Sequence, residues 1–309
     1  MSELKIAIIA CCKMEEHYIK EWLDWHLFTI GVNHIYLCDN NDTGYLPSLL
    51  SVVDNYVKQN LVTVYEYHDI LPIQPKCYDD IYNLICKDYD WVTMIDVDEF
   101  IVLPKFNNNL REFLELDHIK NCDYFMINWR LYGDNNLVEY DDRPCMERFV
   151  APVNTKINPN GASHIVKSFV NCKYKSTLPD EKTFILCHHD ILMHESELNK
   201  IDVLGNKITE PGKFFYPAKE YKCDEAQYYK AVFNIFSLNH YYTKTIEEYI
   251  KYKIYRGDTL LDKTNSDYPY TLNKFFKYNK INKSKIRFIK EKYPQLYNLW
   301  DKERNYANV

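Results

Sequence analysis

Short apolar runs alternate with amphipathic stretches along the first third of the chain. "KIAIIACC" (5–12), "HIYLCDN" (34–40) and "LVTVYEY" (61–67) read as strands, and residues 15–29, 46–58 and 77–88 carry helical periodicity. Another apolar run, "WVTMIDVDEFIVL" (91–103), reads as a strand that carries three carboxylates near its middle. Strands that alternate with helices predict an α/β fold with a mixed, mostly parallel sheet flanked by helices. Within 15–29, Ile19, Trp22, Leu23 and His26 recur at helical spacing, so Trp22 and Trp25 are expected to pack on the sheet, and Gly31 to end the helix.

After the strand "CDYFMINWRLYG" (122–133) the pattern becomes irregular, with loops at 157–163 and 209–219. Helices are predicted at about 223–236 and 245–256, followed by shorter helical pieces interrupted by Pro269 and Pro294. These features predict one domain over 1–243, with a regular first half (1–121) and a more irregular second half (122–243). A basic, aromatic helical C-terminal extension over 244–309 completes the division.

Composition sharpens this picture in two places. The net charge of −6 conceals an asymmetry: residues 244–304 hold 15 Lys and Arg against 8 Asp and Glu, leaving 23 against 36 elsewhere. Tyr249, Phe275, Phe288 and Trp300 are interleaved with that positive charge, a pattern suited to peripheral contact with an anionic membrane or, as the plainer reading, to a solvated basic face over packed aromatics. No early apolar run approaches the roughly 20 residues that span a bilayer, and the start reads as a strand rather than a signal peptide. The 10 cysteines show no Cys-x-x-Cys spacing and read as buried thiols of a reducing compartment, so a cytoplasmic protein is expected, with no nucleic-acid partner.

Ligands of open parallel sheets bind where strands end at their carboxyl side. If residues 91–103 form one strand, Asp96 and Asp98 project to the same face and Glu99 points away with Val97. Two such carboxylates suit a divalent cation that completes its shell with phosphate oxygens and water. The same Asp pair also suits a strand-end turn that accepts backbone N–H groups.

Several blocks, taken in order, resemble glycosyltransferases of the GT-A fold, in particular the family 92-like group related to family 2. They are "KMEEHYIKEWLDWHLFTIGVNHIYLCDNND", "DWVTMIDVDEFIVL", "NWRLYGDN", "HIVKSFV", "CHHD" and "LNHYYTKTIEEYIKYKIYRG". The resemblance implies a GT-A type catalytic domain over 1–243, with a nucleotide-sugar-binding half (1–121) and an acceptor-binding half (122–243), transfer of a hexose, such as galactose, from a UDP-linked donor, and inversion at the transferred sugar. It also implies an ion such as Mn²⁺ or Mg²⁺ held by Asp98, by His240 and by Asp96, the last of which would otherwise lie nearer the ribose. Asp39 would contact the ribose or base, Lys244 the diphosphate, and His189 the acceptor or diphosphate.

The resemblance further implies a general base, for which Asp134 is chosen over Glu147 and Asp190, and Trp129 would stack on a sugar. Each residue also has a plain structural role to weigh: an Asx turn for Asp39, an exposed cation for Lys244, core packing for Trp129. "CHHDILMH" lacks the spacing of a zinc site. The acceptor would be a glycan or lipid-linked saccharide. Two other readings compete, a sugar-nucleotide or glycan-binding module without turnover, and a nucleotidyltransferase. The latter is disfavoured because "IACCKMEE" has no glycine after the first strand.

Overall fold

The structure, a computed structural model, describes residues 3–70, 73–153, 165–173, 185–186, 191–192, 198–209, 224–257 and 270–306. Its first strand, β1 (Ile6–Cys12), is buried along its whole length, as a continuous apolar run in the middle of a parallel sheet should be. Burying each of its isoleucine side chains stabilises the fold by roughly 1.5–3 kcal/mol. Helix α1 (Ile19–Asp24) follows and passes into a π-helical stretch (Trp25–Ile30) that Gly31 closes at φ 83°, where a side chain would be strained. Next come β2 (His34–Asp39), α2 (Leu49–Lys58), which Ser48 caps through the Ser51 N–H, β3 (Val62–Glu66), α3 (Gln74–Ile85) and β4 (Trp91–Met94).

The run read as one strand over 91–103 is two. β4 stops at Met94, residues 95–98 turn, and β5 (Glu99–Val102) departs in a different part of the sheet. Apolar residues on both sides of the turn hid it, since the two strands are both buried. Further along lie β6 (Tyr124–Leu131), β7 (Val166–Asn171), the short pair β8 (Ile185–Leu186) and β9 (Ile191–Leu192), β10 (Lys200–Asp202) and β11 (Ser237–His240).

The main sheet runs β3-β2-β1-β4-β7-β6-β11-β5, with β10 beside β6. β3, β2, β1 and β4 are parallel, β7 is antiparallel to both β4 and β6, and β11 is antiparallel to β5. This is the expected mixed sheet flanked by helices, with α3 packed on β1 and α2 on β3.

The chain divides into two compact units, Met1–Arg130 with Asn160–His240, and Leu131–Pro159 with Tyr241–Val309. In the second unit Ile246, Tyr249, Ile250, Leu272, Phe275, Phe288, Ile289 and Trp300 form one core. Tyr249, Phe275, Phe288 and Trp300 therefore face inward, while Tyr255 is exposed. No described helix is long and apolar enough to cross a membrane. The described cysteines are all buried thiols, with no disulfide among them.

Candidate functional site

Strand order reverses at β1: the chain first builds β2 and β3 on one side and then places β4 on the other. Such a switch point opens a crevice at the carboxyl ends of the strands. Asp39 closes β2 opposite Cys12 of β1, and Ile95 donates its N–H to Ile9 O as β4 ends. Asp39 and the Asp96–Glu99 turn thus stand at the carboxyl end of the parallel strands, with β1 between them.

The turn is closed from both ends. Glu99 N–H donates to Asp96 O (3.0 Å), and Asp96 N–H donates to the Glu99 carboxylate (2.8 Å). Glu99 therefore does not point away from the Asp pair, because the strand alternation that predicted this stops at Met94. Asp96 Oδ1 accepts from Gln74 Nε2 (2.7 Å), at the start of α3, and Oδ2 accepts from Lys167 Nζ (2.9 Å). Lys167 lies on β7, whose pairing with β4 brings it beside the turn, and its Nζ is also 3.6 Å from Glu99.

Lys167 and Glu99 are both fully buried. Burial works against the Lys167 ammonium, but Asp96, Glu99 and Asp98 together outweigh it and hold its pKa above the ordinary lysine value. Burial pushes the Glu99 carboxyl well above its usual range, against the pull of Lys167.

β11 pairs with β5 so that His240 stands opposite Glu99, which sets His240 Nε2 3.3 Å from Asp98 Oδ1. Both side chains are 4% exposed. Trp129, half-buried at the end of β6, meets the His240 imidazole edge-on at 4.2 Å between ring centroids and braces it. No local spacing joins residues 98 and 240, which one antiparallel ladder brings together.

On the other side of β1, Asp39 Oδ1 accepts the Asn41 N–H (3.0 Å), so the Asx turn read as the plain alternative is present. Asn41 in turn accepts from Met14 N–H (2.7 Å) and donates to Glu16 (2.8 Å), tying the loops after β1 and β2 together. Burial raises the Asp39 pKa, opposed by that Asn41 N–H.

Asp134 and Lys244 belong to the second unit. The Asp134 carboxylate pairs with Lys285 and accepts the Asn136 N–H (2.9 Å), while its own N–H donates to Asn279 Oδ1 (2.7 Å). Burial raises its pKa, opposed by Lys285. Lys244 is buried at φ 50° ahead of the helix Ile246–Tyr249, whose cap is Thr245, so it is not on a helical face. His189, with His188, Asp190 and His194, lies outside the described residues.

Sequence reasoning missed Lys167 and Gln74, and it gave the helical stretch over 19–30 too small a role. Trp22 Nε1 donates to Glu99 O (2.7 Å), Trp25 Nε1 donates to Ile101 O (2.7 Å), and Ile101 N–H donates to His26 Nε2 (3.2 Å). These side chains satisfy the outer edge of β5, which ends the sheet among the described strands. A single cation inside the apolar "IVKSFV" was the available signal for Lys167.

The donor chemistry fits a divalent ion. A separation of 3.3 Å between Asp98 Oδ1 and His240 Nε2 matches two adjacent ligands of one ion, each roughly 2.1 Å from it. Among the described residues no three His, Cys, Asp or Glu side chains converge as a metal cage, since Asp96 is turned to Gln74 and Lys167. The pair therefore suits an ion whose remaining positions come from phosphate oxygens and water.

No protein-family model matches the chain, and no curated protein matches it in sequence. Among solved structures, its backbone is similar to the crystal structures of S. aureus TarS 1–349, one of them in complex with UDP. Both matches have 14% identity and cover 58% of this chain, with TM-scores of 0.31 and 0.32. This chain spans about half the length of those it matches, 51% and 52%.

Proposed function

We propose that the chain is a metal-dependent glycosyltransferase of GT-A type that moves a hexose, such as galactose, from a UDP-linked donor to a glycan or lipid-linked saccharide, with inversion. The observation that carries this reading is the pairing of Asp98 with His240 at 3.3 Å, beside a carboxylate-bearing turn at the switch point of a parallel sheet. Asp98 and His240 would hold Mn²⁺ or Mg²⁺, which when bound neutralises charge gathering on the departing diphosphate.

Asp39 and Asp96 supply carboxylate oxygens with spare lone pairs for ribose hydroxyls, since each oxygen can accept more than one hydrogen bond. Trp129 keeps His240 in place. The roles of Asp134 as base, Lys244 at the diphosphate and His189 near the acceptor rest on the sequence resemblance alone. Peripheral contact of the basic C-terminal surface with an anionic membrane is part of the same proposal.

The test is a panel of UDP- and GDP-sugars with purified protein and Mn²⁺, read as hydrolysis and as transfer to added saccharides. Metal-dependent turnover of a UDP-hexose, lost in Asp98→Ala, supports the proposal. Absence of both turnover and nucleotide binding overturns it. One observation favours a binding module without turnover: the carboxylate chosen as base is committed to Lys285. That reading predicts UDP-sugar binding with no hydrolysis at any pH.

A further inference from the structure

The site carries a cation of its own. Lys167 Nζ sits 2.9 Å from Asp96 and 3.6 Å from Glu99, with no exposed surface, and its field extends to Asp98. Folding a lysine into such a place is costly, and the turn itself does not need it: the two Asp96–Glu99 hydrogen bonds and Gln74 already hold Asp96. What the ammonium adds is charge. Beside the Asp98–His240 pair it cancels one of the carboxylate charges that would attract a free cation.

We propose that Lys167 is a positioning and selectivity residue, a built-in counter-cation that makes the site weak for a divalent ion alone and strong for that ion together with an anionic diphosphate. The inference rests on the functional reading above and deepens it. With the ammonium present, Asp96 is electrically satisfied from inside the protein, and Asp98 with His240 offers a dication too little negative charge to be held tightly. A nucleoside diphosphate brings the missing charge and is itself drawn by Lys167. A lysine suits this task because its charge is compact and needs no planar partner.

The test separates charge from packing by sign. Lys167→Met is expected to bind Mn²⁺ alone roughly tenfold tighter and UDP without metal roughly tenfold weaker, the effect of one buried unit charge at a distance of several ångströms. Lys167→Arg keeps the charge and should match the native protein in sign on both measures. Asp96→Asn, at a partly exposed position, removes the charge but keeps an amide oxygen that a ribose hydroxyl can donate to, and should do the reverse of Lys167→Met: weaker Mn²⁺, tighter metal-free UDP. This mirror variant decides the matter if Lys167→Met does not fold.

Calorimetric titrations of each variant with MnCl₂ alone and with UDP in chelator give the readout, and none depends on turnover. If Lys167→Met, or Asp96→Asn in its place, moves both affinities in the same direction or leaves Mn²⁺ affinity unchanged, the counter-cation role is overturned. If the native protein binds neither ligand, the functional reading falls with it. If it binds both and the signs do not oppose, only this inference falls.

Discussion

His240 Nε2 lies 3.3 Å from Asp98 Oδ1, although 141 residues separate them in the chain. Their partnership is made by the β11–β5 ladder, in which His240 stands opposite Glu99, the residue after Asp98. Removing either side chain is expected to abolish the effect of Mn²⁺ on UDP affinity, measured by titration with and without the ion. Asp98→Ala should also lower donor hydrolysis by on the order of a hundredfold or more, the scale seen when a developing charge loses its stabiliser. An unchanged Mn²⁺ effect in both variants would remove this pair from the ion's shell.

Trp22→Phe keeps the buried ring but takes away the N–H that Glu99 O accepts. The carbonyl is left buried without that partner, so the variant should lose about 1–3 kcal/mol of stability. Denaturant midpoints would show it. A change within experimental error would mean that another donor takes the place of the indole.

His26 uses Nδ1 on Trp22 O and Nε2 on Ile101 N–H, so its ring must be neutral, donating at one nitrogen and accepting at the other. Burial lowers its pKa from 6.5 to about 3, opposed by the Trp22 carbonyl. The unfolded chain takes up a proton below about pH 6.5 that the folded chain refuses. Stability from this residue is therefore whole above about pH 6.5 and declines as pH falls towards 3, by at most about 1.4 kcal/mol per unit. Urea titrations at pH 7 and pH 5 should show that decline in the native protein and a smaller one in His26→Gln.

Asp134 and Lys285 make a buried ion pair inside the second unit. Asp134→Asn or Lys285→Met alone leaves one charge without its counterpart and should cost about 3–5 kcal/mol. Replacing both with apolar residues of similar size should recover most of that loss. Thermal unfolding of the single and double variants checks the coupling. If Asp134→Asn instead retains full stability and loses only turnover, the base role gains over the structural one.

The parallel half of the sheet was legible because β1, β2, β3 and β4 are contiguous apolar runs with helices between them. The turn at 95–98 was not, because Ile95 and Val97 are as buried as the strands they separate and the apolar pattern never breaks. Asp39, Asp96 and Asp98 could be picked out because acidic residues at strand ends are rare in a core. Lys167 could not be given a role, because its partner Asp96 lies 71 residues away and only the β4–β7 pairing joins them. The π-helical stretch was equally hidden, since Trp22, Trp25 and His26 have the spacing of an ordinary amphipathic helix.

The capped edge of β5 also bears on how this protein fails. A terminal strand normally invites a neighbouring chain to pair with it, yet here two indoles and an imidazole occupy the outward groups of Glu99 and Ile101. Loosening residues 19–30 would uncover a β-template next to the Asp96–Glu99 turn, so damage to this helical stretch would surface as self-association before it surfaces as unfolding.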